Sequence, residues 1–198
     1  MSATQQDLLH DLQKPPYWKT LGVFDWLWAV LVMAGCAYAY SRYQSLMDNY
    51  EAGILLGTGL TLTGLGWHWK AIRLLGLAIA LLSITGVSLY GTSLASNESK
   101  FFLKFMLSSQ SAVMWMSALF IAATPVYFAA MFARSGFAGK VASAMTWSAV
   151  TMGFVGLMVR WRESYLLGGD IGHIPVSNLY EVFILFSLIT ALIYLYYE

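Results

Sequence analysis

One cysteine, Cys36, stands in 198 residues. A disulfide within the chain needs two thiols and a Cys-based metal site needs more, so neither is open to it. The same count removes a Cys-x-x-Cys-His haem attachment site, so the chain is not itself a c-type cytochrome. Charge is scarce as well. Asp, Glu, Lys and Arg make up 11% of the residues, against ~25% in a soluble domain. The net charge is +1 and no basic face is concentrated enough to bind nucleic acid. No Walker A motif, Rossmann fingerprint, His-Glu-x-x-His or nucleophile elbow occurs. No complete catalytic constellation can be named, and there is neither an internal repeat nor a low-complexity tract.

Apolar residues fill the chain instead. They reach 59%, and the mean hydropathy is +0.63. Aromatics make up 16%, with 8 Trp and 12 Tyr, which suits a protein with interfacial belts. A membrane helix needs about 20 mainly apolar residues. Six segments come near that: 21–40, about 50–69, 71–91, about 111–133, about 141–159 and 178–197. The second is the weakest, being rich in Gly and Thr. The expectation is an all-α, polytopic bundle of about six transmembrane helices in one domain, 21–198, bound to a lipid membrane. A polar N-terminal tail, 1–20, precedes it. Pro15 and Pro16 break the tail from the first span, and acids without an early basic run make it a poor signal peptide. "VMAGC", ending at Cys36, has the look of a lipoprotein cleavage box. The apolar run continues to Tyr40, so an uncleaved first helix is expected. A very tight turn around "WHWKAIR" joins the second and third spans. "FFLKFMLS", 101–108, is expected to lie along the membrane surface as a short amphipathic piece.

Lys and Arg in short loops set orientation. With the N-terminus in the cytoplasm, Lys14, Lys19, Lys70, Arg73, Arg134 and Lys140 are inside, and Arg42, Lys100, Lys104, Arg160 and Arg162 are outside. Six against five is a narrow majority. With it, the helix count puts the loop between Arg160 and Ser177 on the outer face.

That loop holds most of the polar chemistry: "RWRESYLLGGDIGHIPVSNLYEVF", Arg160 to Phe183. Trp161 and Arg162 suit anchors at a helix end. Arg160 sits deeper and calls for a partner, either Glu163 at i+3 or Glu181 on the next helix. An anionic ligand group is the other choice, because Arg grips carboxylates in a fork. Gly168, Gly169 and Gly172 build a turn, and Pro175 pushes Ile174 to an extended conformation. His173 is thereby presented on a stiff, non-helical stretch. Three roles stay open for it: metal or haem ligand, proton carrier, or hydrogen-bonded strut. Asn178 suits an N-cap, with Glu181 reaching back in a variant capping box. Asn178 and Glu181 share a face and could equally line a pocket with Arg160. Tyr180 is left without an explanation by the cap.

Other candidates read more plainly. His68, between Trp67 and Trp69, fits an interfacial belt better than an aromatic haem pocket. His10 lies in the polar tail. Asp25 suits the first turn of its helix. "GILLG", Gly53 to Gly57, reads as a small-residue packing pair. Met114, Met116, Met145 and Met152 lie in spans and are expected to fill the core.

The Arg-Trp…Gly-His-x-Pro-x-Ser-Asn-x-Tyr-Glu pattern of "RW…GHIPVSNLYEVFILFS" resembles the N-terminal part of the CcsA/ResC family. These are the haem-handling membrane subunits of system II cytochrome c biogenesis. "DWLWAVLVMAGCAYAYSRYQSLMDNYEAGILLG", "FFLKFMLSSQSAVMWMSALF" and "SYLLGGDIGHIPVSNLYEVF" resemble the beta-proteobacterial type, so the similarity runs from about Phe24 onward. The resemblance implies a subunit of the cytoplasmic (inner) membrane working with a ResB-like partner. Together they would move haem b to the outer face and attach it to apocytochrome c, as a cytochrome c synthetase complex. It carries over to Arg160, Trp161, Gly172, His173, Pro175, Asn178, Tyr180 and Glu181, as haem-pathway or structural residues, and places the loop in the periplasm. The family's tryptophan-rich haem segment and its flanking histidines have no counterpart in the sequence, so a fragment of a longer protein is expected. Without the resemblance, a transporter or channel subunit, or a non-catalytic membrane scaffold, fits the same residues.

Overall fold

The computed structural model describes residues 17–44, 49–168 and 172–198. The tail residues His10, Lys14, Pro15 and Pro16, and Gly169 in the loop, lie outside them. The described residues are helical, with no strand among them. Six long helices carry the fold: α1 (Val23–Tyr43), α2 (Asn49–His68), α3 (Ala71–Tyr90), α4 (Ser109–Phe132), α5 (Gly136–Leu167) and α6 (Leu179–Tyr197). All but α2 are long and apolar enough to cross a membrane. Five such helices make this a multi-pass, all-α membrane protein. The α2 sequence matches a span in length, at 20 residues. Its Gly, Thr, Asn and Glu residues dilute its apolarity below that of the others, as its composition foretells.

The chain divides into two compact units, one ending at Arg73 and the other running from Leu74 to Glu198. In the first, α1 pairs with α2. The close approach is not made where the "GILLG" pair suggests. Among the described residues, a Cβ at Gly53 or Gly57 would meet nothing within 4 Å. A Cβ at Gly59 would meet Cys36 Sγ at 2.6 Å, and one at Gly66 would overlap the Trp28 indole. With buried Thr63 between them, Gly59 and Gly66 recur at helical spacing and form the contact stripe. Two residues, Trp69 and Lys70, link α2 to α3, which is the tight turn expected of "WHWKAIR".

In the second unit α5 is the central helix. Half of its apolar window is buried, against 17–22% in the other four spans. Gly153 and Gly156 let neighbours in. A Cβ at Gly156 would come within 2.9 Å of Val113 Cγ2, and one at Gly153 within 2.6 Å of Met116 Sδ. Small residues do this work in membranes, where dispersion rather than water release holds helices together. Met116 and Met152 are buried as expected, but Met114 is 56% exposed and fills no core. The α5 helix also outruns its expected span, 141–159, at both ends. Its 32 residues rise about 48 Å, against about 30 Å of hydrocarbon. The surplus carries Arg160 to Leu167 past the apolar run and delivers them to the loop.

Candidate functional site

The end of α5 that carries Arg160 is where three other helix ends converge: the last turn of α3 and the first turns of α4 and α6. Hydrogen bonds to two acids tie them together. Glu163, 7% exposed, is held from two sides. Tyr90, the last residue of α3, donates its hydroxyl proton to Oε1 at 2.7 Å. Ser109, first in α4, donates its backbone N–H to the same oxygen at 2.9 Å and its hydroxyl to Oε2. Tyr90 itself is 2% exposed and packs on Leu103, Leu107, Val155 and Val159. Sequence reading offered Glu163 only as a local partner for Arg160. Tyr90 and Ser109 lie 73 and 54 positions away, and no local pattern announces such a pairing.

Glu181 is fully buried. Its backbone N–H is capped by Asn178 Oδ1 at 2.9 Å, as the N-cap reading requires. Its carboxylate reaches back one residue further than a capping box, accepting from Ser177 N–H at 3.2 Å rather than from Asn178. The other oxygen faces Arg160 Nε and His173 Nε2, each at 3.5 Å. Arg160 Nη1 stands 3.8 Å from Glu163 Oε2. The two partners considered for Arg160 are thus not alternatives: its guanidinium bridges both acids. Arg162 turns away and donates to the Gly91 carbonyl at 2.9 Å, closing the end of α3.

The loop backbone is fastened by Ser164, which is 1% exposed. Its hydroxyl accepts from His173 N–H at 3.2 Å and lies 3.2 Å from the His173 carbonyl. Gly172 presses on the Tyr165 ring, where a Cβ would overlap it. That contact explains a glycine before the histidine. Pro175 is buried beneath the loop. Trp161 is 42% exposed and Tyr180 58%. Trp161 stands outside the acid cluster, while Tyr180 lines a recess beside it.

Two recesses flank Arg160. One, about 150 Å³, is lined by Ser109, Gln110, Gly156, Arg160, Tyr180 and Glu181 among others. The other, about 160 Å³, is lined by Tyr90, Ser108, Ser109, Gln110, Arg160 and Glu163 among others. Pockets for drug-sized ligands span ~300–1,000 Å³, so neither recess encloses a macrocycle. Among the described residues no group of three or more His, Cys, Asp and Glu is placed to hold a metal ion.

A second polar knot lies in the first unit. Asp25 accepts from Gly22 N–H at 2.6 Å, as a helix-start acid should, and also pairs with Arg73. Arg73 Nε donates to the Gly66 carbonyl at 2.6 Å. Trp67 donates its indole N–H to the Asp25 carbonyl at 2.9 Å and meets Trp26 edge-on at 5.7 Å. Trp67 is therefore fixed to the backbone of the neighbouring helix. Compared with known protein families, curated proteins and solved structures, the chain matches none.

Proposed function

We propose that the chain is a haem-handling membrane subunit of cytochrome c assembly, similar to the N-terminal part of the CcsA/ResC family. One observation carries the reading. Arg160 and His173 both face the buried Glu181 carboxylate, and Asn178 caps the Glu181 backbone N–H, so the charged and polar core of the signature meets at one residue. The scattered polar residues of a generic membrane loop have no reason to do so. Haem b is the cargo. The recesses beside Arg160 are too small to enclose it. The signature residues therefore act by holding the loop in shape, and the loop forms part of the surface past which haem reaches apocytochrome c.

In this reading the protein lies in the inner membrane with its N-terminus in the cytoplasm. All six long helices cross, α2 included, and the loop at His173 faces the periplasm beside a ResB-like partner. The test is deletion of the gene that encodes this chain, followed by haem staining of membrane c-type cytochromes. Loss of stain, restored by the intact gene and reduced with Arg160→Ala or Glu181→Ala, is the expected outcome. Full haem attachment in the deletion strain would sink the assignment.

A further inference from the structure

Residues 100–108 connect α3 to α4, and they do not lie flat on the bundle. Leu103 and Leu107 are 0% and 3% exposed and form a buried cluster with Val155 and Val159 of α5, against which Ile79 and Leu82 of α3 also pack. Gly86 faces the Leu107 carbonyl; a Cβ there would lie 3.5 Å from it. Gly86 is one turn, about 6 Å, inside the end of α3. The segment thus dips below the level of Tyr90. Its opposite side is apolar too. Phe101, Phe102, Phe105 and Met106 are 70%, 60%, 52% and 43% exposed. An amphipathic surface helix would turn a mainly polar side outward, whereas this segment sets only Lys100 and Lys104 among four exposed apolar side chains.

We infer that residues 100–108 form a wedge inserted into one lipid leaflet, its outer face covered by phospholipid acyl chains. Two observations name the occupant. The first is depth, since the segment runs alongside apolar turns of membrane-spanning α3 and α5. The second is the treatment of its backbone. Leu103–Leu107 is wound as a π-helix that breaks before α4, and such a break leaves carbonyls open. Ser111 donates its hydroxyl to the Lys104 carbonyl at 2.6 Å. Trp115 donates its indole N–H to the Phe105 carbonyl at 2.8 Å. Water would satisfy both at an aqueous surface, whereas lipid demands donors from the protein. Lys104 completes the fit. Its ammonium lies 5.7 Å from the Phe105 ring, close enough to lie over the aromatic face, with a stem long enough to reach the headgroup phosphates. Insertion of about 5–10 Å, to the headgroup–acyl boundary, suits such an element.

The single native thiol makes the test direct. In a Cys36→Ser background, nitroxide labels go on Phe102→Cys, Phe105→Cys and, as a reference, Glu98→Cys. The full chain is placed in nanodiscs of phosphatidylcholine and phosphatidylglycerol. Collision with dissolved oxygen and with a water-soluble nickel chelate is read by electron paramagnetic resonance. The oxygen-to-nickel ratio at 102 and 105 is expected to exceed that at 98 several-fold, as for a label at the headgroup–acyl boundary. Nickel access equal to that at 98 would overturn the wedge in favour of a water-facing loop. Exclusion of both reagents would overturn it in favour of a protein partner. Two independent label sites keep the result readable if one variant misfolds.

Discussion

Asp25 and Arg73 meet one to one, whereas Glu163 and Glu181 share Arg160. The first arrangement balances its own charge. The second sets two buried carboxylates against one guanidinium, at 3.5 and 3.8 Å. What remains is met by neutral donors: the Tyr90 hydroxyl, the Ser109 N–H and hydroxyl and the Ser177 N–H, with the His173 ring 3.5 Å from Glu181. An ion pair between two neighbouring elements serves to pin them. A carboxylate with donors from several helix ends serves to assemble those ends, because each donor is satisfied only when all are in place. The knot in the first unit is a rivet, and the cluster in the second is a keystone.

Glu163→Ala should do the greatest damage. It leaves three donors unmet, and an orphaned buried group costs about 1–3 kcal/mol. Thermal unfolding of purified protein in detergent is expected at a clearly lower temperature, with partial recovery in Glu163→Gln. Asp25→Ala should lower it less, since Arg73 keeps the Gly66 carbonyl and the exposed Gly22 N–H turns to water. Equal shifts in the two variants would erase the distinction. Next comes the helix seam of the first unit. Gly66→Ala drives a methyl into the Trp28 indole and should cost about 1–3 kcal/mol. Gly53→Ala, with open space around it, should leave the melt unchanged; sensitivity there would restore the "GILLG" reading. Smallest is Tyr90→Phe, which removes one hydrogen bond to Glu163 and should cost about 1 kcal/mol. An unchanged melt would show that Ser109 and Arg160 hold the carboxylate without it.

Helix positions were legible because about 20 apolar residues in a row have few other uses. The Asn178 cap was legible because capping is local chemistry. Pairings across the bundle were not. On a helix that is apolar all round, periodicity cannot say which face meets a neighbour. The "GILLG" pair, Gly53 and Gly57, was therefore singled out in place of Gly59 and Gly66. Arg73 looked like a loop charge and turned out to be the partner of Asp25, 48 positions away. Trp115 and Ser111 read as ordinary span residues, yet they cap the carbonyls of the 100–108 segment. The match of Arg160 to both acids was half visible, since i+3 spacing suggests Glu163 and the next helix start suggests Glu181.

The length of α5 has a mechanical consequence. A rod longer than the bilayer is thick must tilt, or stand proud of the membrane at one end. Where its Gly136 end is moored, the thickness of the surrounding lipid decides how far Glu163 and the His173 loop stand proud of it. A thicker bilayer draws them under and a thinner one lifts them clear. The height of the loop is thus a property of the host membrane as much as of the chain.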